Sequence, residues 1–147
     1  MTQPSLFGPA GEGATANVDG GARGNPGPAG YGVRIEQDDG TVVELKESLG
    51  IATNNVAEYN GLLAALRWAV AAGVRRLRVR SDSELLVRQM RGEYRVKSSA
   101  LQPLYDEARS LVRRLGSVTF EHVRREFNKD ADRLANEAMD EAAASKT

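Results

Sequence analysis

The chain has 147 residues and no formal net charge, with 41% hydrophobic and 27% charged residues. That length and balance suit one globular domain and exclude a disordered or collagen-like chain. The longest uncharged apolar run is residues 68–74, well short of the about 20 residues a membrane span needs. No basic start followed by an apolar stretch precedes Thr15, and cysteine is absent, so a secretory leader, a disulfide framework and a thiolate metal site are not expected. The expectation is a cytoplasmic monomer without membrane association. Residues 1–74 hold 4 basic and 8 acidic side chains while residues 75–147 hold 16 and 12, an asymmetry that permits a polyanionic partner without requiring one.

Residues 1–13 contain Pro4, Gly8, Pro9, Gly11 and Gly13 without an apolar period, the composition of a flexible tail. The folded domain is expected over residues 14–144, with residues 145–147 disordered. Residues 14–19 read as a short buried strand ending at Asp19, followed by a cluster of turn formers from Gly20 to Pro28. Strands over 31–36 and 41–49 are joined by Asp38-Asp39-Gly40, a hairpin signal. The period then changes: Val56, Tyr59, Leu63, Leu66 and Val70 mark one stripe of a helix over 54–72 that Gly73 ends. A strand over 74–80 and a short helix over 83–91 follow. The next helix is expected to be capped by Ser99, to take Pro103 in its first turn, to bury Leu101, Leu104, Ala108, Leu111 and Leu115, and to stop at Gly116. A last strand covers 118–123. Asn128 or Asp130 can cap a final helix toward Ala144, with Leu134, Ala138 and Met139 inside. This order predicts an α/β fold: a five-stranded mixed sheet, three antiparallel strands then two parallel ones, flanked by helices.

The chain has 20 acidic residues, so only position can select among them. Asp19 and Asp82 fall at expected strand ends, and Glu58 and Asp132 near expected helix starts. Side chains from such places converge in α/β folds. Carboxylates crowded together repel one another, and hard divalent cations such as Mg²⁺ relieve that repulsion through oxygen ligands.

Four stretches carry a resemblance. Val18-Asp19-Gly20-Gly21-Ala22-Arg23-Gly24-Asn25-Pro26-Gly27-Pro28, Thr53-Asn54-Asn55-Val56-Ala57-Glu58-Tyr59, Ser81-Asp82-Ser83 and Ala131-Asp132-Arg133-Leu134-Ala135 are similar, in order, to the motifs of type 1 ribonuclease H. The resemblance spans residues 15–142. It implies the ribonuclease H-like fold and an endonuclease that cuts the RNA strand of an RNA–DNA hybrid, leaving 5′-phosphate and 3′-hydroxyl ends. It implies Asp19, Glu58, Asp82 and Asp132 as ligands of two Mg²⁺ ions, with Mn²⁺ able to substitute, Asp19 bridging both and the Gly20 carbonyl adding a ligand. Glu58 would also meet the 2′-hydroxyl or the ion-bound water near the scissile phosphate. Gly21, Asn25, Thr53, Asn54 and Asn55 would contact substrate. Glycine also has a direct reading in that first motif, since it lets the backbone approach a sugar closely.

The chain also departs from the family pattern. The segment between the last strand and last helix lacks the histidine of the best-known members, and Arg124, Arg125 or Glu126 stand there as candidate substitutes. The single histidine, His122, reads as a strand packing residue with no assigned role. Glu84 stands where many relatives carry glutamine. Residues 92–97 directly link two helices, leaving no room for the extra basic helix of some members, so Arg88, Arg91, Arg95 and Lys97 are the nearest candidates for gripping DNA. In the tail, Gln3, Leu6 and Phe7 resemble the peptide by which bacterial replication proteins dock on the sliding clamp. The rival expectation is a catalytically weak or silent hybrid-binding module of the same fold, with or without a tether to a sliding clamp.

Overall fold

The computed structural model describes residues 13–145. The elements are β1 (Gly13–Ala22), β2 (Gly27–Gln37), β3 (Val42–Ala52), α1 (Asn54–Ala72), β4 (Arg76–Ser81), α2 (Glu84–Met90), α3 (Gln102–Arg114), β5 (Ser117–His122) and α4 (Lys129–Ser145), with a 3-10 turn at Arg125–Phe127. The sheet order is β3-β2-β1-β4-β5. β1–β2 and β2–β3 are antiparallel, and β1–β4 and β4–β5 are parallel. This is the five-stranded mixed sheet the sequence predicts. No helix among the described residues is long and apolar enough to cross a membrane.

The first three strands are longer than expected, β1 and β2 because the glycines at their facing ends pair within the ladder instead of turning the chain. Gly20 and Gly21 pair with Tyr31 and Gly30 inside the β1–β2 ladder, so Asp19 lies within β1 rather than at its end. A Cβ on Gly20 would come within 2.5 Å of the α1 backbone at Ala57, and one on Gly30 within 2.5 Å of the Ala138 Cβ of α4. These glycines let α1 and α4 settle against opposite faces of the central strands. Gly13 opens β1 and Ser145 ends α4, so both expected tails start one residue into a regular element.

α1 matches its expected bounds: the Thr53 Oγ1 accepts from the Val56 N–H at 3.2 Å, and Gly73 closes the helix at φ +74°. Its burial is wider than one stripe. Ala57, Tyr59, Leu62, Leu63, Ala65, Leu66 and Ala69 are buried, while Val56 and Val70 are only partly so, because α1 lies between the sheet and α3. At α3 the expected Ser99 cap is not used; Leu101 precedes the helix with no side-chain cap. The Tyr59 hydroxyl donates to Gln89 Oε1 at 2.7 Å in the core, joining α1 to α2.

Candidate active site

The chain leaves β1 toward β2 on one side of the sheet, and β4 leads to β5 on the other, so the sheet switches direction between β1 and β4. Ligands gather outside the carboxyl ends of strands at such a point. The β1–β4 ladder stops at Val18↔Ser81, with Asp19 and Asp82 next in each chain segment. An open cleft of about 670 Å³ lies there, lined by Asp19, Glu58, Asp82 and Asp132, by Gly20, Gly21 and Asn55 on one rim and by Arg125 and Asn136 on the other.

Carboxylate oxygens of Asp19, Glu58 and Asp82 lie within 4.8 Å of one another. Asp132 is outside that trio but hydrogen-bonds Asp19, and its Oδ1 is 3.4 Å from Arg125. Burial, then the charges of Asp82 and Asp132, push Asp19 up to about 8. Burial pushes Glu58 up to about 7, against a hydrogen bond from Ser83 and with the Asp82 charge adding to the rise. Asp82 is also raised, by burial and then Asp132, while Arg125 and His122 oppose the rise. Three carboxyl groups held at the cost of their own ionisation, with the Asp132 carboxylate beside them, fit a hard divalent cation. All four side chains offer oxygen donors, and Gly20 lines the same cleft.

Of the expected substrate-contact residues, Gly21, Asn54 and Asn55 line this cleft, and the side-chain oxygens of Asn25, Thr53 and Asn54 are already engaged. Asn54 Oδ1 accepts from the Ala22 N–H at 2.8 Å, and Asn25 Oδ1 from the Asn54 N–H at 3.0 Å. Thr53 caps α1. Their acceptor atoms lock the β1–β2 turn onto the start of α1, whereas Asn55 is exposed between this cleft and a second, about 480 Å³ hollow. Leu85, Tyr94, Arg95, Lys97 and Leu101 line that hollow.

The candidates of the 124–126 segment separate. Arg125 reaches the acids, while Arg124 pairs with Glu126 at 3.3 Å and lies over the Phe127 ring. Glu84 is held by Arg88 at 2.7 Å, and Arg88 also meets Glu93 at 2.9 Å and the Tyr94 ring. Arg91 donates to the Phe120 carbonyl at 2.9 Å. Arg88 and Arg91 are thus committed within the protein, leaving Arg95 and Lys97 beside the hollow. His122 is exposed and lies close enough to Asp82 and Glu84 to act on their charges, so it is not the packing residue its strand position suggested: it is the last residue of the edge strand β5. Ser83 was not singled out, although a hydroxyl three residues before the Leu86 N–H is a cap signal. Gln3, Leu6 and Phe7 lie outside the described residues.

A mixed sheet of this order, carrying carboxylates where its two parallel central strands diverge, defines a ribonuclease H-like domain. A family model described as reverse transcriptase-like matches residues 17–138. The bifunctional protein Rv2228c of Mycobacterium tuberculosis is 50% identical over 130 residues, covering 87% of this chain and 36% of the relative. Its N-terminal RNase H domain, solved as a fusion with maltose binding protein, is similar at a TM-score of 0.89 and 47% identity, covering 92% of this chain and 99% of that one. Ribonuclease HI of Halobacterium salinarum is 41% identical over 128 residues, covering 86% of this chain and 64% of the relative. LC11-RNase H1, solved in complex with an RNA/DNA hybrid, gives a TM-score of 0.82 at 41% identity and covers 88% of this chain and 99% of that one. The chain belongs to the ribonuclease H family of hydrolases. It spans only about a third of the length of Rv2228c.

Proposed function

We propose that this domain hydrolyses the RNA strand of an RNA–DNA hybrid endonucleolytically, leaving 5′-phosphate and 3′-hydroxyl ends, with two divalent cations held by Asp19, Glu58, Asp82 and Asp132. The carrying observation is the trio of carboxylates within 4.8 Å, with Asp132 hydrogen-bonded to Asp19. Mg²⁺ is the proposed ion, with Mn²⁺ substituting. Bound there, the cations supply Lewis-acid stabilisation of the attacking and leaving oxygens of the phosphodiester. The RNA/DNA hybrid in the LC11-RNase H1 structure supports the substrate class.

The chain's own groups have distinct tasks in this reading. Asp19 and Gly20 line the cleft from β1, Asp82 from just beyond β4, Glu58 from α1 and Asp132 from α4, and the Gly20 carbonyl is the proposed added ligand. Ser83 holds Glu58 by a hydrogen bond, which fixes the carboxylate proposed to meet the 2′-hydroxyl that separates RNA from DNA. Gly21, Asn25, Thr53, Asn54 and Asn55 receive the hybrid, the first four through a rim the acceptor bonds hold rigid. Arg125 takes the auxiliary place of the absent loop histidine, since it alone of the 124–126 segment reaches the acids.

The test is a panel of labelled substrates. Cutting of the hybrid's RNA strand, with duplex DNA, duplex RNA and single-stranded RNA left intact, is expected. Binding of the hybrid without cutting in either Mg²⁺ or Mn²⁺ would instead establish the silent module. The proposed sliding-clamp contact through Gln3, Leu6 and Phe7 is tested separately: removing residues 1–12 should abolish clamp pull-down and leave hybrid cutting by the monomeric domain unchanged, and clamp capture that survives the deletion refutes the contact.

A further inference from the structure

One buried polar side chain near the cleft is left over from the acidic chemistry. Asn128 is 1% exposed and stands just before α4, where the sequence offers it as a helix cap. Its side chain does something else. Asn128 Nδ2 donates to the Val18 carbonyl at 2.9 Å, and Asn128 Oδ1 accepts from Asn17 Nδ2 at 2.8 Å. Asn17 Nδ2 also reaches the Phe127 carbonyl at 3.3 Å. The Asn128 backbone carbonyl accepts from the Asp132 N–H at 3.0 Å, and its N–H donates to the Arg125 carbonyl at 2.9 Å.

Three of the bonds made by Asn128 reach the backbone of the acidic cluster or next to it. Val18 precedes Asp19 and is the last β1 residue paired to β4; Asp132 is bonded to Asp19; Arg125 is 3.4 Å from Asp132. Asn128 therefore touches the backbone beside Asp19 and the backbones of Asp132 and Arg125, at the place where the strands part and the ladder no longer holds them. Asn17 fixes which end of the amide faces Val18, because only the Nδ2 end can donate to a carbonyl.

We infer that Asn128, oriented by Asn17, is a positioning residue that sets Asp132 and Arg125 against Asp19 and thereby tunes the affinity of the acidic cluster for divalent cations. The reason is geometric: α4 carries Asp132 on a separate element, and a cluster of like charges pushes its members apart unless their backbones are tied. A polar side chain one step behind metal-ligating groups characteristically changes affinity by about 10- to 100-fold when removed. This inference rests on the proposed cation-binding role of the cluster.

The test is calorimetric titration of Mn²⁺ into the nucleic-acid-free protein, alongside thermal unfolding. Asn128→Ala is expected to weaken Mn²⁺ binding about tenfold or more. Asn17→Ala, at a half-buried surface position, is expected to weaken it in the same direction by less, and keeps the test available should Asn128→Ala fold poorly. Val74→Ala, in the core just before the start of β4 and away from Asp82, serves as the control: it lowers the unfolding temperature and leaves Mn²⁺ affinity unchanged. Unaltered Mn²⁺ affinity in both asparagine variants overturns the inference and leaves Asn128 a purely structural residue. Wild-type binding heats that persist in Asp19→Asn overturn it too, and locate the failure in the proposed role of the cluster itself.

Discussion

Removing the Asp19 charge should make the cation-free domain more stable, and increasingly so as pH rises. Burial and the neighbouring acids lift this carboxyl from 3.8 to about 8, so folding favours its protonated form. Stability from that raised pKa is fully present below pH 3.8 and is lost as pH climbs through about 8. Asn cannot ionise and escapes the loss. The whole shift corresponds to an upper bound of about 5–6 kcal/mol, and because Asp82 and Asp132 share the repulsion, one substitution should recover about 2 kcal/mol. For a chain of this size that is about 6–8 °C in unfolding temperature. Thermal unfolding of wild type and Asp19→Asn in a chelator, from pH 5 to pH 9, should show curves that diverge upward in pH. Added Mg²⁺ should raise the wild type and leave the variant unmoved. Parallel curves across that range, or an Asp19→Asn variant less stable than wild type at pH 9, would refute the crowded-carboxylate account.

Other consequences are open to direct measurement. Cation binding at pH 7 should release protons, because Asp19 at about 8 and Glu58 at about 7 are wholly or partly protonated there; calorimetry in buffers of different ionisation enthalpy reads this, and buffer-independent heats contradict it. Gly30→Ala should destabilise the fold by about 2–3 kcal/mol in chemical denaturation, since its Cβ would meet the Ala138 Cβ at 2.5 Å and push α4 off the sheet; a loss under about 0.5 kcal/mol would mean that α4 yields freely. Glu84→Gln removes an acid from the cleft wall and releases Arg88, so the KM for hybrid should fall about two- to threefold with kcat little changed, and a raised KM would assign Glu84 a favourable substrate contact.

The alternation of periods made the fold readable. Strand and helix patterns gave the element order and the mixed sheet, and α1 appears with the expected bounds because Thr53 and Gly73 punctuate it chemically. The errors cluster where one residue type serves two physical purposes. Gly20 and Gly21 read as turn residues, yet both pair inside the β1–β2 ladder, and the close approach of the α1 backbone to Gly20 is a demand that exists only once that helix is in place. Asn128 reads as a cap, yet its amide crosses to Val18, a partner 110 positions away. The acids could be chosen by their expected places on strands and helices, and the structure brings Asp19, Glu58 and Asp82 into one trio with Asp132 on the flank. What the sequence could not disclose was commitment: Arg88 and Arg91 look like phosphate-gripping charges until Glu84, Glu93 and the Phe120 carbonyl are seen to occupy them.

The most direct measurement is strand-resolved cutting of an RNA–DNA hybrid with Mg²⁺ or EDTA, by wild type and Asp19→Asn side by side. The account predicts Mg²⁺-dependent scission of the RNA strand alone, with 5′-phosphate ends, abolished by EDTA and by the substitution. Cutting that persists in Asp19→Asn, or in EDTA, would place the chemistry outside the carboxylate cluster and contradict it.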